Sequence, residues 1–307
     1  MACLRSVVLC FIVFAMLVGG AGAAPGTDLS RGGTILMFGD SILDCHEGDE
    51  RIEAVLKQKL QDEAPGVRWS IYNEAHGGEC IGPKEGSPIG VSTPLFTAET
   101  SGRFFELVRD YPRVTAVIVN YGGNDSKVYP PETFRKRLEM LGSLLEQTYP
   151  GAILVFSTSM YLDPAHSAPY HIPAPRVPGW MDGGSRNDYL EPYNQEIRSF
   201  TAAHGYRLAD TFRRLKTLTE RGLWDLRERG ADGNGGPKDD AKHLGDGAWF
   251  DNIHPNNQGT AAIAEGLADA ILQPVHPFLP LAEKLKANEK QDCEDETSPV
   301  GSTGQLP

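Results

Sequence analysis

The chain is poor in cysteine and spaces what it has widely. Cys3 and Cys10 fall within the first 23 residues, Cys45, Cys80 and Cys293 follow them, and no C-x-x-C pair occurs. A zinc ribbon and a thioredoxin-type redox motif are excluded. No G-x-S-x-G is present, so the strand–turn–helix nucleophile elbow has no candidate. Basic residues are in deficit: 29 Lys and Arg stand against 41 Asp and Glu, for a net charge of −12. That argues against a nucleic-acid partner, which would ask for a basic patch. No internal repeat is evident. Beyond the first residues no run approaches the length of about 20 apolar residues that a bilayer span needs.

What is there is ordinary for a packed globular protein: 307 residues, 40% hydrophobic and 8% aromatic. The length allows one large α/β domain or two small ones. Arg5, an apolar run over residues 6–18, Gly19-Gly20 and the small-residue site Ala21-Gly22-Ala23 have the anatomy of an export signal. The expectation is residues 1–23 as a signal peptide cleaved near Ala23, and a secreted or periplasmic chain with no stable membrane span after its removal. An uncleaved N-terminal anchor is the alternative. Residues 24–33 read as a lead-in, 34–277 as one domain, and 278–307, polar and rich in Ser, Thr, Gly and Pro, as a disordered tail.

Within the domain, strand and helix patterns alternate. Residues 34–38, 67–73, 114–120, 152–157 and 206–208 read as strands. Residues 51–61, 102–109, 131–147, 189–204 and 256–272 read as helices. Such alternation predicts an α/β fold: a parallel sheet covered by helices on both faces. Two Pro- or Gly-rich excursions, 163–187 and 230–247, interrupt it. They either shape a substrate site or decorate the surface. Asp232-Gly233-Asn234 resembles the start of a calcium loop, but no later glutamate completes the spacing.

Four short blocks carry chemistry: Gly39-Asp40-Ser41, Gly77-Gly78, Gly122-Gly123-Asn124-Asp125 and Asp251-Asn252-Ile253-His254. The first three follow predicted strands and the fourth precedes the last helix, so all fall on one sheet edge, where open parallel sheets bind ligands. A serine hydroxyl needs a base to become a nucleophile. Histidine titrates close enough to neutrality to serve, and a carboxylate usually fixes its other nitrogen. Ser41, His254 and Asp251 fit these three roles. Attack on an ester leaves an oxyanion that preorganised donors stabilise. The N–H groups of Ser41 and Gly78 and the amide of Asn124 are candidates, with Gly77 competing with Gly78.

These residues resemble the SGNH, or GDSL-type, hydrolase family, named for its Ser, Gly, Asn and His. Gly39-Asp40-Ser41-Ile42-Leu43 is similar to its first block. Gly78, five residues after Asn73, is similar to the second. Gly122-Gly123-Asn124-Asp125 is similar to G-x-N-D, and Asp251-x-x-His254 followed by Pro255 to D-x-x-H. The resemblance spans residues 34–272. It implies a three-layer α/β/α sandwich of flavodoxin-like type and ester hydrolysis through a serine acyl-enzyme, with no metal and no organic cofactor.

Within that family, an exported acidic chain with polar loops suggests deacetylation of a carbohydrate. The expected partner is a small-molecule or polysaccharide ester, and nothing in the sequence sets an oligomeric state. A lysophospholipase or thioesterase is the alternative enzyme. A non-catalytic glycan-binding protein on the same fold is the alternative outside catalysis.

Other residues admit two readings. Asp40 and Asp125 read as loop-stiffening hydrogen-bond acceptors rather than extra acids. His46 and His76 read as solvated loop histidines. Trp249 and Phe250 either wall the substrate site or pack on the last helix. Cys45 and Cys80 are either bridged, tying the nucleophile turn to the oxyanion loop, or unpaired.

Overall fold

The structure is a computed structural model and describes residues 32–44, 51–82, 94–98, 101–161, 186–223, 254–255 and 257–273. Five strands form one parallel sheet: β1 (Gly32–Gly39), β2 (Arg68–Asn73), β3 (Ala116–Asn120), β4 (Ile153–Ser157) and β5 (Arg207–Ala209), in the order β2-β1-β3-β4-β5. The helices are α1 (Ile52–Glu63), α2 (Arg103–Asp110), α3 (Pro131–Thr148), α4 (Arg186–His204), α5 (Thr211–Glu220) and α6 (Asn257–Leu272). The compact unit that carries the sheet ends at Leu272.

The period-two alternation of a strand explains the layers. Ile35, Met37, Ala116, Ile118, Ile153 and Val155 bury one face against Leu56 and Leu60 of α1, Leu215 of α5 and Ile263, Leu267 and Ile271 of α6. Their neighbours Leu36, Phe38, Val117, Val119, Leu154 and Phe156 bury the other against Phe104 of α2, Leu138 and Leu141 of α3 and Phe200 of α4. Central strands buried on both faces read as continuous apolar runs, and β3 and β4 are buried at every residue. Each such side chain contributes roughly 1.5–3 kcal/mol by leaving water. The result is a three-layer α/β/α sandwich of flavodoxin-like strand order.

Element bounds shift by up to three residues, as at α4, which begins at Arg186 rather than 189, and two further differences are instructive. The last strand is Arg207–Ala209 rather than 206–208. A three-residue strand offers little pattern, and a one-residue slip exchanges the two faces. Helix α5 was not anticipated. Its Phe212, Leu215 and Leu218 stand three apart and pack on the core, a helical stripe that the sequence reading overlooked. What starts it is a cap: the Asp210 carboxylate accepts the Arg213 N–H at 3.2 Å.

Strand order turns around between β1 and β3, the position at which such sheets bind ligands. The register puts Gly39, Asn120 and Ser157 in one row across β1, β3 and β4. The loops after β1 and β3 therefore leave the sheet side by side.

Candidate active site

Beyond β1 the chain makes one helical turn, with Asp40 O accepting from the N–H groups of Leu43 and Asp44, both at 3.1 Å. Ser41, partly exposed, sits at its start. A Cβ on Gly39 would lie 2.9 Å from Leu43 Cδ1 and 3.0 Å from Asn120 O, so glycine lets the turn close against β3. Asp40 is fully buried. Its Oδ1 accepts the Ile42 N–H at 3.0 Å and its Oδ2 accepts the Asn124 amide at 3.3 Å. Burial above all, and the charge of Asp125, push the Asp40 carboxyl up to about 6, against the Ile42 N–H and the charges of Lys127 and His254.

The exit of β2 is stitched to this turn. Asn73 Nδ2 donates to Leu43 O at 2.8 Å, and the N–H groups of Glu74 and His76 donate to Met37 O and Gly39 O at 3.0 and 2.9 Å. His76 itself is exposed. The Gly77 N–H donates to Asp44 Oδ2 at 2.7 Å, and a Cβ there would lie 3.9 Å from Ser41 Cβ. Gly78 takes φ +78°, a left-handed conformation that favours glycine.

Glu79 then turns fully inward. Its carboxylate binds Arg103 Nε and Nη2, each at 2.7 Å, and the Tyr121 hydroxyl at 2.6 Å. Removing one partner of such a buried pair would be costly, because the other charge would stay buried. Its backbone carbonyl accepts the Asn124 amide at 3.3 Å.

After β3, Asp125 knots its own loop. Its carboxylate accepts the Gly122 N–H at 2.9 Å, the Ile81 N–H at 2.8 Å and the Tyr129 hydroxyl. Burial pushes this carboxyl up too, against those three donors. Asn124 is buried, with Oδ1 accepting from Lys127 Nζ at 2.9 Å. A cation on the oxygen and two acceptors on the nitrogen specify one orientation of the amide. Asn124 thus touches both the block that carries Ser41 and the segment after Gly78.

His254, partly buried, lies just ahead of α6. Asp251, Trp249 and Phe250 lie outside the described residues, as do His46, the excursion 230–247 and nearly all of 163–187. Cys80 is buried, its Sγ 3.4 Å from Gly82 O, while Cys45 lies outside the described residues. Among the described residues no group of three His, Cys, Asp or Glu side chains could hold a metal ion. Nor is any described helix long and apolar enough to cross a membrane.

Sequence reasoning used Asn73 as a spacing mark of the second block and missed Glu79, Arg103, Tyr121 and Lys127. Only Lys127, three residues after Asn124 on the short 3-10 turn Asp125–Lys127, had a local signal.

The hydrolase LAE5, from the metagenome of Lake Arreo in Spain, shares 16% identity over 81% of this chain and 97% of its own, with a TM-score of 0.51. The acetylxylan esterase Axe2 from Geobacillus stearothermophilus shares 14% over 83% of this chain and 99% of its own, with a TM-score of 0.47. At such identity the likeness to LAE5 establishes the fold and nothing about substrate. No curated protein matches in sequence. The GDSL-like Lipase/Acylhydrolase family matches residues 37–262, from within β1 into α6. The chain therefore belongs to the GDSL-like lipase/acylhydrolase family and is a hydrolase of its esterase type.

Proposed function

We propose that the chain is an exported serine esterase that removes short acyl groups, acetyl above all, from carbohydrates. The observation that carries the catalytic half is the Asp40–Asn124 hydrogen bond at 3.3 Å. It joins the segment bearing the nucleophile to the strongest side-chain candidate for an oxyanion donor.

In this reading Ser41 Oγ attacks the ester carbonyl carbon while His254 takes its proton and Asp251 holds the imidazole. The carbonyl oxygen becomes an oxyanion between the N–H groups of Ser41 and Gly78 and the Asn124 amide. Gly78 is preferred to Gly77 because the Gly77 N–H is already given to Asp44. Both resting acceptors of the Asn124 amide sit at a long 3.3 Å, so an oxyanion competes well for a hydrogen. The intermediate collapses, the sugar alcohol leaves with the proton from His254, and Ser41 keeps the acyl group. Water, deprotonated by His254, then attacks the acyl-enzyme and releases the acid. Only neutral imidazole can take the Ser41 proton, so the rate falls on the acid side.

The substrate half rests on composition. Residues 77–92, 163–187 and 230–250 are rich in Gly, Pro, Asp, His and Asn with scattered aromatics, and hold no aliphatic stretch. A long acyl chain needs an apolar groove worth about 0.8 kcal/mol per buried methylene. Polar loops with isolated aromatics suit hydrated sugars. Export rests on the N-terminal segment described above.

Hydrolysis of p-nitrophenyl acetate by the wild type and its absence in Ser41→Ala test the catalytic half. An ester series from acetate to decanoate tests the acyl half: a steady rise of kcat/KM with length would favour a lipid-type substrate. Acetate release from acetylated xylan tests the sugar half.

A further inference from the structure

The amide of Asn124 is held from both ends. Its nitrogen faces Asp40 Oδ2 and Glu79 O, both at 3.3 Å, and its oxygen faces the ammonium of Lys127 at 2.9 Å. The two contacts on the nitrogen are long and are the ones an oxyanion must displace. The contact on the oxygen is the short, charge-assisted one, and it persists when the nitrogen changes partner.

We propose that Lys127 is a positioning residue for the oxyanion donor: its ammonium holds Asn124 Oδ1 away from the reacting carbonyl and polarises the amide so that Nδ2–H is the stronger donor. The inference rests on the serine-esterase reading of the site and adds a residue to it.

The placement of Lys127 supports this role. It ends the 3-10 turn Asp125–Lys127, and its own N–H donates to Asn124 O at 2.9 Å. Backbone and side chain of one residue thus both grip Asn124. The turn is itself pinned, because Asp125 binds the Gly122 and Ile81 N–H groups. Lys127 is only half-buried, which spares its ammonium most of the desolvation cost of a deep charge. An amide with its oxygen polarised by a cation donates more strongly through nitrogen, as linked hydrogen bonds reinforce one another. The reverse orientation would turn a carbonyl toward the oxyanion and would leave the ammonium facing an NH2 group. Lys127 therefore stabilises the one orientation that can assist the reaction.

The test is a set of variants assayed on p-nitrophenyl acetate: Lys127→Met and Lys127→Arg in the wild type, Lys127→Met combined with Asn124→Ala, and Ser41→Ala. Lys127→Met should lower kcat about tenfold, less than the loss of an oxyanion donor itself, with KM and the thermal midpoint little changed. Lys127→Arg should recover most of the rate. When Asn124 is already alanine, Lys127→Met should cost less than about twofold, because its route of action is gone. Wild-type kcat in Lys127→Met, a loss confined to KM, or an equal fold-loss with and without Asn124 would each overturn the proposal. Activity retained by Ser41→Ala would overturn the serine-esterase reading instead, so the two failures are distinct.

Discussion

Asp40 and Asp210 occupy equivalent places at the carboxyl edge of one sheet. Each follows the last residue of a strand, β1 or β5, and each side chain caps the turn that follows, taking the N–H of Ile42 or of Arg213. Their surroundings part there. Burial alone would raise the Asp210 carboxyl, but Arg198, at 2.9 and 3.1 Å, outweighs it and holds the group below the ordinary range. Among the described residues Asp40 meets only neutral donors within hydrogen-bond reach, is wholly buried, and is pushed up to about 6. A guanidinium makes Asp210 a structural anchor. With its carboxyl raised, Asp40 sacrifices stability at neutral pH. The same capping residue is held charged where a guanidinium is hydrogen-bonded to it, as at Asp210, and pushed toward neutrality where burial dominates, as at Asp40.

Breaking the Asp40 side at its chemistry should give the largest effect. Ser41→Ala and His254→Ala should each lower kcat/KM for p-nitrophenyl acetate by several orders of magnitude, as in other triads. A folded variant that kept most of the rate would remove the site from that side of the comparison.

Asn124→Ala should cost about 10²–10³ in kcat, the usual cost of one oxyanion donor. A loss seen only in KM would mean that Asn124 binds ground-state substrate.

Asp40→Asn sharpens the contrast in stability. A carboxyl raised from 3.8 to about 6 stabilises the folded state below its unfolded value, and that stability is lost as pH rises through the folded one. Between pH 4 and 8 the wild type should lose about 2 kcal/mol that Asp40→Asn does not lose. This differential is independent of any constant cost of setting an amide against Asn124. Denaturant unfolding at the two pH values measures it, and an unchanged difference between the proteins would refute it.

Asp210→Asn should behave oppositely. A lowered carboxyl contributes stability above its unfolded value that is lost as pH falls. The variant should lose about 1.5–3 kcal/mol at pH 7, the worth of a charged hydrogen bond, with the gap closing in acid. Its kcat should stay within about twofold of wild type, and a larger fall would make Asp210 more than an anchor.

Which parts were legible in the sequence follows from the range of the interactions. β3 and β4 are buried on both faces, so their apolar runs announce them. Asp40 and Asn124 stand in local blocks right after strands, so the meeting of those two blocks follows once the sheet is parallel. The ion pair of Glu79 with Arg103 spans 24 residues, and nothing near either predicts it. The grip of Lys127 on Asn124 is local, but it is visible only once the 3-10 turn is known. β5 is too short for periodicity to place it well, whereas α5 carries Phe212, Leu215 and Leu218 at helical spacing and was legible. Asp251, Trp249 and Phe250 lie outside the described residues, so their roles stand as proposals.

The central claim is that Ser41 is a nucleophile served by the groups around Asp40. Incubating the wild type with a fluorophosphonate, then measuring intact mass, peptide masses and residual activity, tests it most directly. The expected result is a single phosphonyl group on Ser41, loss of activity in proportion to labelling, and no labelling of Ser41→Ala. Inactivation with the label on another residue, or full activity with Ser41 labelled, would contradict it.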